Sequence, residues 1–125
     1  MEKVNIAEKL STFNDYFNPR IAGELNGEPA CQPWLVKLVK FKGEFVWHHH
    51  DNEDEFFYVV KGSFDMHLRD KIITVNEGEF LIMPKGVEHK PVAKEEVEIM
   101  LFEPATTLNT GNIENEMTRK DLRHL

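Results

Sequence analysis

The run Trp47-His48-His49-His50-Asp51 and the acidic turn after it carry the strongest chemical signal in the chain. Residues two apart on an extended strand project from the same face, so His48 and His50 point together while His49 points away. Two imidazoles so placed reach one metal ion at about 2.0–2.1 Å each. Glu55 opens the next apolar run and sets a carboxylate opposite the pair. His89, just beyond Pro84-Lys85-Gly86, is the fourth candidate, because a strand end there lies beside the others once the strands close into a barrel. Three imidazoles and one carboxylate form a borderline donor set suited to zinc, manganese, iron, nickel or cobalt, whereas calcium asks for more oxygens. Four protein donors also leave positions open on an ion that prefers more, which is the arrangement of a reactive centre and not of a structural staple.

Other residues compete for these roles. Three consecutive histidines by themselves also fit a solvated polar turn, as does Glu53-Asp54. A register slip of one residue would bring in His49 in place of His48, with Asp51 as its same-face partner. His67 and His124 sit among surface-like neighbours and are left out of the ligand set. Tyr58 is the one polar candidate for a catalytic acid–base role among the strand residues expected inside. Phe57, Phe64, Met83, Met100 and Phe102 are expected to line the barrel.

The elements that must position these groups are short and β-like. Trp34 to Phe41, Phe56 to Val60, Phe64 to Leu68, Ile72 to Val75, Phe80 to Met83 and Val97 to Phe102 are separated by Lys42-Gly43, Lys61-Gly62, Arg69-Asp70-Lys71, Asn76-Glu77-Gly78 and Pro84-Lys85-Gly86. Strands of this length with frequent turns and no intervening helices argue for an all-β antiparallel sandwich or barrel. Ahead of them, Asn5 with Glu8 fits a helix-opening capping box. Ile6, Leu10, Phe13 and Phe17 then share one helical stripe that Asn18-Pro19 closes. Residues 104–125 are polar and read as loop with one marginal helical turn. The expected organisation is a single domain: a helix within 1–20, a core barrel over 34–103 and the tail.

Composition narrows the partners. The chain of 125 residues has a formal net charge of −7 and a pI of about 5.3, so phosphate backbones and anionic lipid surfaces repel it. Nucleic acid and membrane partners are therefore not expected, and a small-molecule ligand is. No apolar run approaches the roughly 18 residues that cross a bilayer, and Met1-Glu2-Lys3-Val4-Asn5 does not open a signal peptide. Cys31 is the lone cysteine and reads as a small, partly buried hydrophobe, which suits a reducing, cytoplasmic setting.

With these residues in view, the sequence resembles the small single-domain members of the cupin superfamily. The first motif of that family, a glycine, a His-any-His pair, a glutamate and a closing glycine, is met by Gly43, His48, His50, Glu55 and Gly62, with one residue fewer than usual between Gly43 and His48. The second is met by Gly78, Pro84, Gly86 and His89, while the asparagine expected at its end is Ala93. The resemblance implies a double-stranded β-helix, or jelly roll, of two antiparallel sheets. It implies one divalent metal on His48, His50, Glu55 and His89, and a homodimer with the Phe13/Phe17 stripe and the Trp34 strand as candidate contacts.

The sequence is also similar to small cupins described as mannose-6-phosphate isomerase-like. A phosphosugar site needs cations at the barrel mouth, for which Arg69, Lys85 and Lys90 are the candidates, although each is more simply a surface charge. The expected function is action on, or binding of, a small oxygenated metabolite such as a sugar or keto acid. As an enzyme the chain would be a metal-dependent isomerase or dioxygenase. The alternative is a non-catalytic binding or sensing module with the same pocket.

Overall fold

The computed structural model describes residues 1–26 and 33–125; Cys31 lies outside the described residues. The order of elements is α1 (Ile6–Leu10), β1 (Arg20–Leu25), β2 (Trp34–Glu44), β3 (Glu55–Lys61), β4 (Ser63–Leu68), β5 (Ile72–Asn76), β6 (Phe80–Met83) and β7 (His89–Pro104). All the strand pairings are antiparallel, and the fold is an all-β jelly roll. No helix among the described residues is long and apolar enough to cross a membrane.

The long strand β7 organises the barrel. Its C-terminal half lies between β2 and β3, its N-terminal end pairs with β4, and β6 closes the far edge of β3. Hydrogen bonding therefore runs unbroken through one seven-stranded sheet that folds over itself, where two separate sheets were expected. The sequence shows only the second half of β7, because residues 94–96 (Lys, Glu, Glu) are exposed where the strand passes between layers and their charges interrupt the apolar pattern. Alternation fixes the inner face: Phe57 and Val59 from β3, Phe64 and Met66 from β4, and Val97, Ile99 and Leu101 from β7 meet Val39 and Phe41 of β2 in one core. Each such side chain contributes roughly 1.5–3 kcal/mol by leaving water.

The N-terminal segment departs from its helical pattern. The Asn5 side chain accepts from the Glu8 backbone N–H as a cap should, but α1 ends at Leu10. The Ser11 and Thr12 hydroxyls donate back to the carbonyls of Glu8 and Lys9, and such local bonds compete with continued helix. Leu10 and Phe13 pack on Leu38, on the outside of β2. Phe17, at φ 56, turns the other way and stacks on Phe41 and Phe45 with ring centroids 5.3 and 5.0 Å apart. Both phenylalanines of the expected dimer stripe are thus buried in their own chain, and Phe17 stoppers the barrel. Strand β1, which pairs with β2, was not anticipated: Arg20-Ile-Ala-Gly-Glu-Leu25 has no clear period of two.

The polar tail forms turns and no helical turn among the described residues. It is stitched to the barrel. The N–H of Ile21 donates to the Arg123 carbonyl at 2.7 Å, and that of Leu125 to the Ile21 carbonyl at 2.8 Å. Asn112 grips His49 twice, backbone N–H to carbonyl at 3.0 Å and side-chain oxygen to N–H at 2.9 Å.

Candidate metal centre

His48 and His89 are joined by an isolated antiparallel bridge, His50 follows two residues on, and Glu55 begins β3. All four residues are buried. The Nδ1 atoms of His48 and His89 each lie 2.8 Å from the carbonyl oxygen two residues earlier, of Val46 and of Val87. Since a carbonyl can only accept, both Nδ1 atoms carry the proton and both Nε2 atoms keep a bare lone pair. One atom from each of His48, His50, Glu55 and His89 lies within 4.8 Å of the others. Two donors at about 2.1 Å from a common ion are at most about 4.2 Å apart, so the cluster needs to draw in by at most about half an ångström to form a metal shell.

The lack of hydrogen-bond partners for these atoms is more telling than their closeness. His50 Nε2 stands 2.7 Å and His89 Nε2 3.2 Å from Glu55 Oε1. Yet all three atoms are buried without a hydrogen bond of acceptable direction. Each buried polar atom left so costs about 1–3 kcal/mol, and a cation held among the three offsets these penalties together. The residues therefore fit a metal ion, and the cluster can hold one. Its charge state agrees. Burial, then the neighbouring His89, pushes His48 down to about 4, so that it is neutral at pH 7. Burial would raise Glu55, but the His50 and His89 imidazoles beside it outweigh this and hold it well below the usual carboxylate range.

Beside the cluster lies a cavity of ≈ 40 Å³, walled by Phe17, Pro19, Val39, Phe41, Phe45, Phe57, Pro91 and Leu101, with His48, Glu55, Glu103 and Asn109 as its polar members. Room of this size admits water or a small group bound at the ion. Glu103, at the end of β7, was not among the residues singled out from the sequence. Its Oε1 accepts from Lys37 Nζ at 2.8 Å, and both residues are 1% exposed. Burial and then the Glu55 charge raise the Glu103 carboxyl well above its ordinary range, against the pull of Lys37. The signal was present in the sequence: Lys37 interrupts Leu35-Val36-Lys37-Leu38-Val39, and Glu103 continues the inner series Val97, Ile99, Leu101.

Several expected residues lie elsewhere. Because Glu55, Phe57 and Val59 face inward, Tyr58 faces outward, opposite Phe80 and Met100, and is not brought to the site. Met100 packs toward the Leu10–Leu38 cluster and Phe102 stacks on Trp34 at 5.2 Å, so neither lines the interior. His49 turns away and its Nε2 meets Asp51 at 2.9 Å, which removes the slipped register. Arg69 pairs with Glu88 and stands 3.8 Å over the Trp47 ring, Lys90 pairs with Glu44, and Lys85 is held at its backbone N–H by Asp54. None of the three lines the cavity. His124 pairs with Glu24 and is not part of the cluster.

Known proteins match this architecture. A cupin-2 domain protein from Shewanella frigidimarina is 46% identical, with a TM-score of 0.75 over 81% of this chain and 93% of that one. A Neisseria meningitidis protein is 28% identical, with a TM-score of 0.72 over 82% of this chain and 99% of its own. Among curated sequences, the uncharacterized protein YdbB of Bacillus subtilis is 39% identical over 56 residues, which is 44% of this chain and half the length of that relative. The family described as Cupin domain matches residues 35–103, the stretch that holds all four cluster residues and Glu103, and the chain belongs to that family.

Proposed function

We propose that the chain is a metal-binding small cupin that acts on, or binds, a small oxygenated metabolite at a centre formed by His48, His50, Glu55 and His89. The observation that carries this reading is the grouping of buried, unpartnered donor atoms at one edge of a largely apolar cavity. A zinc, manganese, iron, nickel or cobalt ion bound there would supply Lewis acidity toward a carbonyl or enediol, or, if iron, a site for dioxygen. The chain's own residues do the rest. His48 and His89 are held in register by their carbonyl bonds, the phenylalanine walls keep the cavity largely apolar, and Glu103 presents a further carboxyl. The apolar walls give the binding-module alternative its support. The surface engagement of Arg69, Lys85 and Lys90 argues for a ligand without phosphate and against the mannose-6-phosphate isomerase-like label. Incubating metal-loaded protein with sugars, keto acids and catechols separates enzyme from module: turnover marks an enzyme, and a ligand that raises the melting temperature but is recovered unchanged marks a module.

The reading includes a homodimer. The outer face of β2, β7, β3 and β6 carries Trp34, Phe102, Phe56, Ile82 and Phe80 in adjoining register, with Phe80 and Ile82 more than half exposed. β6 is also an edge strand, whose free backbone groups invite pairing. A second copy laid on this face would cover both the apolar patch and the edge.

A further inference from the structure

Glu55 and Glu103 sit side by side on the inner face. Phe57 pairs with Leu101 and Phe56 with Phe102, and the same register carried one residue further sets Glu55 beside Glu103. Like charges opposed on neighbouring strands repel, and burial sharpens the penalty. Lys37 on β2 answers it through its 2.8 Å bond to Glu103 Oε1. As a way of joining strands, this arrangement is poor, because apolar residues of similar volume serve a core as well as a buried ion pair or better. The pair does have one unspent resource. Glu103 Oε2 is buried and has no hydrogen-bond partner among the described residues. Glu103 lines the cavity that His48 and Glu55 also line.

We propose that Glu103, clamped by Lys37, selects the ligand: its Oε2 accepts a hydrogen bond from a hydroxyl that the ligand carries next to its metal-binding oxygen. This rests on the reading of the four-residue cluster as a metal centre, and it narrows the ligand class to small α-hydroxy acids and α-hydroxy carbonyl compounds. The apolar walls formed by Phe17, Phe41 and Phe57 favour a short hydrocarbon remainder over a further charged group.

The test uses cobalt-loaded protein, with metal content fixed by elemental analysis, titrated with L-lactate and with propionate, which differ by that hydroxyl. Cobalt absorption reports binding. The wild type should favour lactate by about tenfold, as expected of one additional buried hydrogen bond. The K37M/E103L double variant should fold, keep its metal and lose about tenfold of the preference. An unchanged preference in the metal-loaded variant overturns the proposal, as does a wild type that does not distinguish the two acids. Loss of metal from the variant overturns it too, since Glu103 would then serve the ion and not the ligand. Should the double variant fail to fold, E103Q, which keeps the volume, must lower the preference measurably for the proposal to stand. Absence of metal from cobalt-treated wild type would instead defeat the underlying metal reading, and elemental analysis separates that result from the others.

Discussion

His48 and His89 exchange both backbone hydrogen bonds, at 3.0 and 2.9 Å, and their rings lie 4.3 Å apart. Residues separated by forty-one positions in sequence are thus held as a cross-strand pair before any ion arrives. Each ring is also locked by its own carbonyl bond. The pairing fixes the backbone that aims two of the four donors.

The buried neutral state of His48 makes the metal-free protein sensitive to acid. The unfolded chain protonates this histidine near pH 6.5, while the folded chain resists until about pH 4. The unfolded state therefore binds more protons between these values, and stability falls as the pH drops through that window. The gap corresponds to about 3 kcal/mol for His48 alone. Urea melts at pH 7 and pH 4.5 should show the loss, and His48→Asn should remove most of the difference. Equal dependence in the variant would place the acid sensitivity elsewhere.

Gly111 couples the tail to the site. Its φ of +57 suits glycine, and a Cβ there would overlap the His49 carbonyl oxygen. Gly111→Ala should lower stability by about 1–3 kcal/mol and weaken metal binding by displacing the strand that carries His48 and His50. A variant with wild-type melting temperature and metal affinity would show that the tail does not brace the site.

Lys37→Met leaves Glu103 buried without its cation. Breaking a buried pair from one side costs about 3–5 kcal/mol, whereas replacing both partners is close to neutral. Thermal melts should therefore rank Lys37→Met below the double variant K37M/E103L. The reverse order would mean that Glu103 needs no compensating charge.

The outer apolar face predicts self-association. Sedimentation velocity should show a dimer for the wild type and a monomer for Phe80→Glu combined with Ile82→Glu, with little change in fold because both side chains are exposed. A wild-type monomer at micromolar concentration would remove the homodimer from the account.

The strand framework was legible because alternating apolar residues and turn residues punctuate it, and the four-residue cluster because a His-any-His spacing has one geometric meaning on a strand. What escaped was long-range. Nothing local in the sequence tells that Phe17 folds back into the barrel, since its spacing from Leu10 and Phe13 also satisfies a helical stripe. Strand β1 borrows its conformation from β2. The inward or outward facing of Tyr58, Met100 and Phe102 depended on a register that only the pairing of β3 with β7 supplies. The inward placement of Lys37 and Glu103 is marked in the sequence by the apolar series each interrupts or continues, but that the two meet as a pair depends on the register of β2 with β7.

The most direct test of the central claim is elemental analysis of tag-free protein as purified and after reconstitution, beside His48→Ala/His89→Ala. The account predicts close to one transition-metal ion per chain in the wild type and almost none in the variant. Metal absent from the wild type even after reconstitution, or retained equally by the variant, would contradict it.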